Sequence, residues 1–137
     1  MHACREHHEA IRILLELFPT KAPIDCTATS KLLERLKNVL LAHLKLEDTR
    51  LYPALESSGD CDVRQTAARY RLEMGGLRAS FVSLLGTWPS ETEIAADPAL
   101  FMSEFTEFRK ALEVRMAKED HGLYAIAEDY LSRDDIA

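Results

Sequence analysis

The sequence predicts an all-α fold, an antiparallel up-down bundle of four helices, and three observations carry that expectation. Apolar residues recur at alternating steps of three and four along most of the chain, which places them on single helix faces. Only five glycines and five prolines occur in 137 residues, too few breakers for many short strands. Where breakers do gather, they divide the stripes into four long segments, and long helices joined by short connections stack up and down.

The first helix is expected near residues 3–18, on the stripe Cys4, His8, Ile11, Leu15 and Phe18, and is ended by Pro19 and Pro23. The second is expected near 29–57, with Thr29 or Ser30 as N-cap. Its stripe is Leu33, Leu36, Leu40, His43, Glu47 and Leu51, Pro53 bends or ends it, and Glu56 to Asp60 make a turn. The third runs near 61–87 on Val63, Ala67, Tyr70, Met74, Leu77, Phe81 and Leu84, with Trp88 just beyond. The Gly75-Gly76 pair inside it costs about 2 kcal/mol relative to alanine, which points to a neighbouring helix crossing tightly there. The fourth is expected near 97–132, with Asp97 as N-cap and Pro98 in the first helical position. Its stripe is Phe101, Phe105, Phe108, Leu112, Arg115, Glu119, Gly122, Ile126 and Tyr130. Without a linker, a low-complexity tract or a residue-level repeat, the chain reads as a single domain over 1–137.

Composition bounds the function. With 47% apolar and 29% charged residues the chain is of ordinary globular type. A net charge of −6 and no basic tract argue against nucleic acid, whose phosphates need a basic face. No apolar run approaches the roughly 20 residues that cross a bilayer, and the polar N-terminus does not read as a signal peptide. Cys4, Cys26 and Cys61 are odd in number and widely spaced, so no disulfide framework is expected and a reducing cytoplasm is the simplest location. A protein partner or a second copy of the chain remains open.

The informative residues are polar ones on apolar stripes: His8, His43, Glu47, Arg115 and Glu119. Buried charges require partners, and mid-helix positions of four packed helices come to one level, so a single buried polar cluster is expected. His43 and Glu47 are four apart and share one helix face, and Arg115 and Glu119 repeat that spacing. Histidines and carboxylates on facing helices are how bundles hold metals. A lone histidine on such a stripe is more often a hydrogen-bonded core residue, and a lone His-x-x-x-Glu a solvated face. It is their coincidence on leucine-rich stripes that singles these out. His2, His7 and His121 read as exposed or marginal, and Cys4, Tyr70 and Met74 as core residues.

These residues carry a family resemblance. His43-Leu-Lys-Leu-Glu47-Asp-Thr-Arg-Leu-Tyr-Pro53 resembles the His-x-x-x-Glu…Leu-Tyr-Pro signature of hemerythrin-like (HHE) domains. Arg115-Met-Ala-Lys-Glu119-Asp-His-Gly-Leu-Tyr124 is similar to its second copy, and His8-Glu-Ala-Ile11 to the first-helix ligand motif. The resemblance spans essentially the whole chain and implies a hemerythrin-like bundle with two bridged irons. Carried onto this sequence, it makes Glu47 and Glu119 the bridging carboxylates and His8 and His43 the histidines of one iron. It assigns the remaining ligands to positions held by Tyr70, Met74 and Arg115, and no histidine lies between residues 44 and 120 to replace them.

A complete di-iron site is therefore not expected, nor oxygen binding of that type. The expected metal set is His8, His43, Glu47 and Glu119, holding at most one ion (iron, zinc or manganese) or none. Arg115 is expected between Glu47 and Glu119, in the space of the second iron. That arrangement leaves the cluster at −1, and electroneutrality then favours a metal-free state with one protonated histidine. Two readings follow: a non-enzymatic cation-binding or sensing domain, and a metal-free structural or interaction module with a salt-bridged core. A mononuclear-iron oxidase or peroxidase ranks below both, since no separate nucleophile or proton relay is evident.

Overall fold

The computed structural model describes residues 2–134, and all regular structure among them is helical. Residue 1 and residues 135–137, the ends of the expected 1–137 span, lie outside the described residues. The elements are α1 (His2–Leu17), α2 (Cys26–Leu46), a π-helical turn π1 (Glu47–Leu51), α3 (Tyr52–Glu56), α4 (Cys61–Thr87), α5 (Glu91–Ala96), α6 (Pro98–Lys118), a second π-turn π2 (Glu119–Leu123) and α7 (Tyr124–Asp134). The backbone stays right-handed helical through both π-turns. α2–π1–α3 and α6–π2–α7 are thus two long rods that join α1 and α4 in a hemerythrin-like helical bundle. α1 lies against α2 and α6, and α4 lies against α3, α6 and π2.

Carboxylate caps set three of the starts. Asp25 accepts from the Ala28 amide at 3.0 Å and starts α2 before Thr29 and Ser30, the expected caps; Thr29 is buried inside the helix instead. Asp60 caps α4 through the Asp62 and Val63 amides. Asp97 caps α6 as expected, accepting from the Leu100 amide at 3.1 Å with Pro98 behind it. Each such cap is worth about 1 kcal/mol. The connection before α6 contains the six-residue α5, too short to show a period in sequence, whose Ile94 is fully buried.

Of the two readings of Pro53 the structure excludes the ending: Pro53 falls in the first turn of α3, and the rod runs on to Glu56, close to the expected limit at 57. One expectation is corrected. Gly75 and Gly76 do not mark a tight crossing: both are exposed, and a Cβ at either would meet nothing within 4 Å. The close approach lies at Gly122, where a Cβ would stand 2.1 Å from the Tyr70 hydroxyl.

The core falls into two clusters. The larger contains Ile11, Leu15, Leu36, Leu40, Leu44, Phe81, Leu112 and Met116, and the smaller contains Cys4, Leu51, Tyr52, Leu55, Leu123 and Tyr124. Along α1 the division falls between Cys4 and Ile11, at His8. It falls between Leu44 and Leu51, at Glu47, and between Met116 and Leu123, at Glu119. The polar residues therefore form one layer across the bundle.

Candidate metal centre

His8, His43, Glu47 and Glu119 are each 1% exposed or less, and one ligand atom from each lies within 4.8 Å of all the others. α1 supplies His8, α2 supplies His43, and the two π-turns open with Glu47 and Glu119. The sequence-derived set of four is thus brought together. His8 Nε2 lies 3.2 Å from His43 Nε2 and 3.2 Å from Glu119 Oε1, and His43 Nε2 lies 3.3 Å from Glu47 Oε2.

Protonation of the rings follows from their outer partners. His8 Nδ1 lies 2.9 Å from Asp120 Oδ1, and Asp120 also pairs with Arg12. Burial opposes ionisation of Asp120, but the bonds from Arg12 and His8 outweigh it and hold its pKa below the usual carboxylate range. An ionised carboxylate only accepts, so His8 carries its proton on Nδ1 and turns the lone pair of Nε2 into the cluster. Burial holds the His8 pKa below normal, which keeps that ring neutral despite Asp120. His43 Nδ1 lies 3.2 Å from His7 Nδ1. His43 Nε2 faces Glu47 Oε2, and its bond to that carboxylate helps hold the Glu47 pKa down. His7 is half-buried against His43, and burial with the two neighbouring imidazoles lowers its pKa.

Two imidazoles and two carboxylates therefore converge, and one hydroxyl donor lies in the space between them. That donor is the Tyr124 hydroxyl, 2.6 Å from Glu47 Oε2, 2.9 Å from His8 Nε2 and 3.3 Å from His43 Nε2. Tyr52 touches the edge of the group, donating to Glu119 Oε2 at 3.4 Å. Glu47 Oε1 and Glu119 Oε1 are buried without a hydrogen-bond donor. Such a surplus of buried acceptors is costly for a protein alone and is the donor set a cation takes. The residues fit a metal ion.

The electrostatics agree. Burial and the Glu47 charge push the Glu119 pKa up to about 9. Glu47 is buried too, but His43 and Tyr124 outweigh that and hold its pKa below the ordinary value. Without a cation the pair thus keeps one proton, on Glu119. Burial and the two carboxylates raise the Tyr124 pKa above that of a free phenol, and burial pushes the Cys4 thiol up to about 12.

Arg115 is not between Glu47 and Glu119. Its guanidinium is drawn to the rim, where Nη1 pairs with Glu73 of α4 and the group lies 5.2 Å from the Tyr70 ring centre. Tyr70 fills the room beside π2, its hydroxyl 3.1 Å from the Lys118 carbonyl and against Gly122. With Arg115 engaged by Glu73, two ionised carboxylates would leave the cluster at −2. A divalent ion brings that to zero, while the proton on Glu119 relieves half of it without an ion, so charge no longer favours the metal-free state.

Sequence reading left out Tyr124, Tyr52, Asp120 and His7. One signal was present: each carboxylate is followed five residues later by a tyrosine, as Glu47…Tyr52 and Glu119…Tyr124. Five α-helical residues turn through about 140° beyond one full circle, onto another face. In each π-turn the tyrosine amide bonds the carbonyl of its glutamate, and the wider turn brings both side chains inward.

Fold and site together define a helical bundle with a buried cluster of two histidines and two carboxylates that fits a cation. The chain matches the family Hemerythrin, described as the hemerythrin HHE cation binding domain, over residues 1–127, and it belongs to that family. No curated protein and no solved structure gives a match to it. No helix among the described residues is long and apolar enough to cross a membrane.

Proposed function

We propose that the chain is a non-enzymatic cation-binding or sensing domain that holds one metal ion, on His8, His43, Glu47 and Glu119. The observation that carries this reading is the convergence of four buried histidine and carboxylate groups, within 4.8 Å of one another, on a space that one hydroxyl enters. The donor set suits iron, zinc or manganese. Asp120 behind His8 supports it further, because an outer carboxylate on the far ring nitrogen is the usual brace of a metal-bound histidine.

The ion would tie α1 to the rods that carry π1 and π2, while the described residues of α4 contribute none of the four ligands. Loading is therefore expected to register as firmer docking of α1, which is a form a sensor's output can take.

The alternative, a metal-free interaction module, draws support from Glu119, since a proton held there relieves half the carboxylate charge without an ion. Elemental analysis of protein purified without a metal-affinity column separates the two. The cation reading expects one ion per chain in native protein or after loading, and its loss in His43→Ala and Glu47→Gln. An apo-protein that stays empty with iron, zinc and manganese overturns it.

A further inference from the structure

We propose that Tyr124 is a fifth ligand, taking ferric iron as a phenolate; the inference rests on the cation-cage reading above. Adjacent donors round an ion with bonds of about 2.1 Å stand about 3 Å apart. The Tyr124 oxygen keeps that spacing from two of the four ligands, 2.9 Å from His8 Nε2 and 3.3 Å from His43 Nε2. It is closer still, 2.6 Å, to Glu47 Oε2. A hydroxyl that only supported a ligand from outside would touch one ligand and face away from the rest. Tyr52 does so, reaching Glu119 alone at 3.4 Å. Tyr124 is fully buried, so its hydroxyl has no solvent to turn to.

Charge selects the oxidation state. Glu47, Glu119 and a Tyr124 phenolate supply three negative charges, and with Arg115 engaged by Glu73 only a trivalent ion neutralises them. On binding, the phenol O–H bond breaks and Glu119 gives up its proton, both protons pass to solvent, and the phenolate oxygen gives a lone pair to the iron. No electron moves. Three hard oxygen donors with two imidazoles thus distinguish ferric iron from zinc, which is neutralised by the carboxylates alone.

The test loads apo-protein with one equivalent of ferric nitrilotriacetate, removes unbound iron by gel filtration, and reads iron content, visible absorption and resonance Raman. One iron per chain is expected, with a visible phenolate-to-iron band and tyrosine ring modes in the Raman spectrum. Tyr124→Phe should bind iron and lose the band entirely. Tyr52→Phe and Tyr70→Phe should keep it. If Tyr124→Phe does not fold, persistence of the band in the Tyr52→Phe/Tyr70→Phe/Tyr130→Phe triple variant supports Tyr124, and its loss overturns it. Iron bound without a band, or a band surviving in Tyr124→Phe, overturns the phenolate and leaves the cage standing. Zinc bound but ferric iron refused also overturns the fifth ligand alone. An apo-protein that takes up no ion overturns both.

Discussion

Tyr124 donates to Glu47 across the bundle at 2.6 Å, although in sequence it follows the other carboxylate, Glu119. Tyr52 makes the reciprocal reach, from behind Glu47 to Glu119, at 3.4 Å. The two π-turns thus exchange tyrosines, and the two contacts are unequal.

That inequality is measurable in the metal-free protein. A hydrogen bond to a charged group contributes about 1.5–3 kcal/mol, so Tyr124→Phe should destabilise by about that much in urea unfolding. Tyr52→Phe, with the longer contact, should cost distinctly less. Equal losses would show that the crossed arrangement has no energetic asymmetry.

The Glu119 carboxyl gives a pH dependence of definite sign. Its folded pKa is raised to about 9 against an ordinary 4.5, so the stability tied to its proton is full below pH 4.5 and is lost as pH climbs towards 9. The metal-free parent should therefore weaken relative to Glu119→Gln between pH 5 and 9. Glu47, whose pKa is lowered, acts in the opposite sense and only under acid. Thermal melts of the two proteins across that range should diverge steadily; parallel curves would mean that Glu119 is ionised when buried.

Arg115→Ala is expected to be mild. Removing the arginine strands no buried charge, because its partner Glu73 is exposed, so the ion pair contributes about 0.2–1 kcal/mol and the stacking over Tyr70 about as much. A double-mutant cycle with Glu73→Ala should recover a coupling of about 0.5–1 kcal/mol. A loss of about 3–5 kcal/mol, the cost of stranding a buried charge, would return Arg115 to the cluster.

Glycine substitutions should split by position. Gly122→Ala drives a methyl into the Tyr70 hydroxyl and should cost about 1–3 kcal/mol, as overpacking does. Combining it with Tyr70→Phe should return part of the loss. Gly75→Ala and Gly76→Ala enter open space on an exposed helix face and should each stabilise by about 0.5–1 kcal/mol. Melting temperatures of the four variants decide the matter.

His8, His43, Glu47 and Glu119 were legible because each interrupts an apolar stripe, and a helical period fixes which face a residue shares. Periodicity says nothing of which neighbour a long side chain prefers, so Arg115 was placed on the correct stripe and given the wrong partner. The π-turns hid the rest. Each inserts a residue and shifts the phase, so beyond Glu119 the buried positions among the described side chains are Leu123, Tyr124 and Ala127, whereas Gly122, Ile126 and Tyr130 lie only half-buried. An unbroken α-helical count passes over Tyr124. The same count missed α5, which is shorter than two turns.

The polar layer also fixes an order of melting. It parts a large apolar cluster from a small one, and few apolar contacts cross it to make the two ends cooperate. In the metal-free protein the small end, around Cys4, Leu55, Val63 and Leu123, should open as a subglobal unit below the free energy of complete unfolding. An ion at the seam would suppress that opening by RT ln(1 + [L]/Kd), about 2.7 kcal/mol at a hundredfold excess over Kd. Amide exchange would then read a bundle that unfolds in two stages when empty and in one when filled.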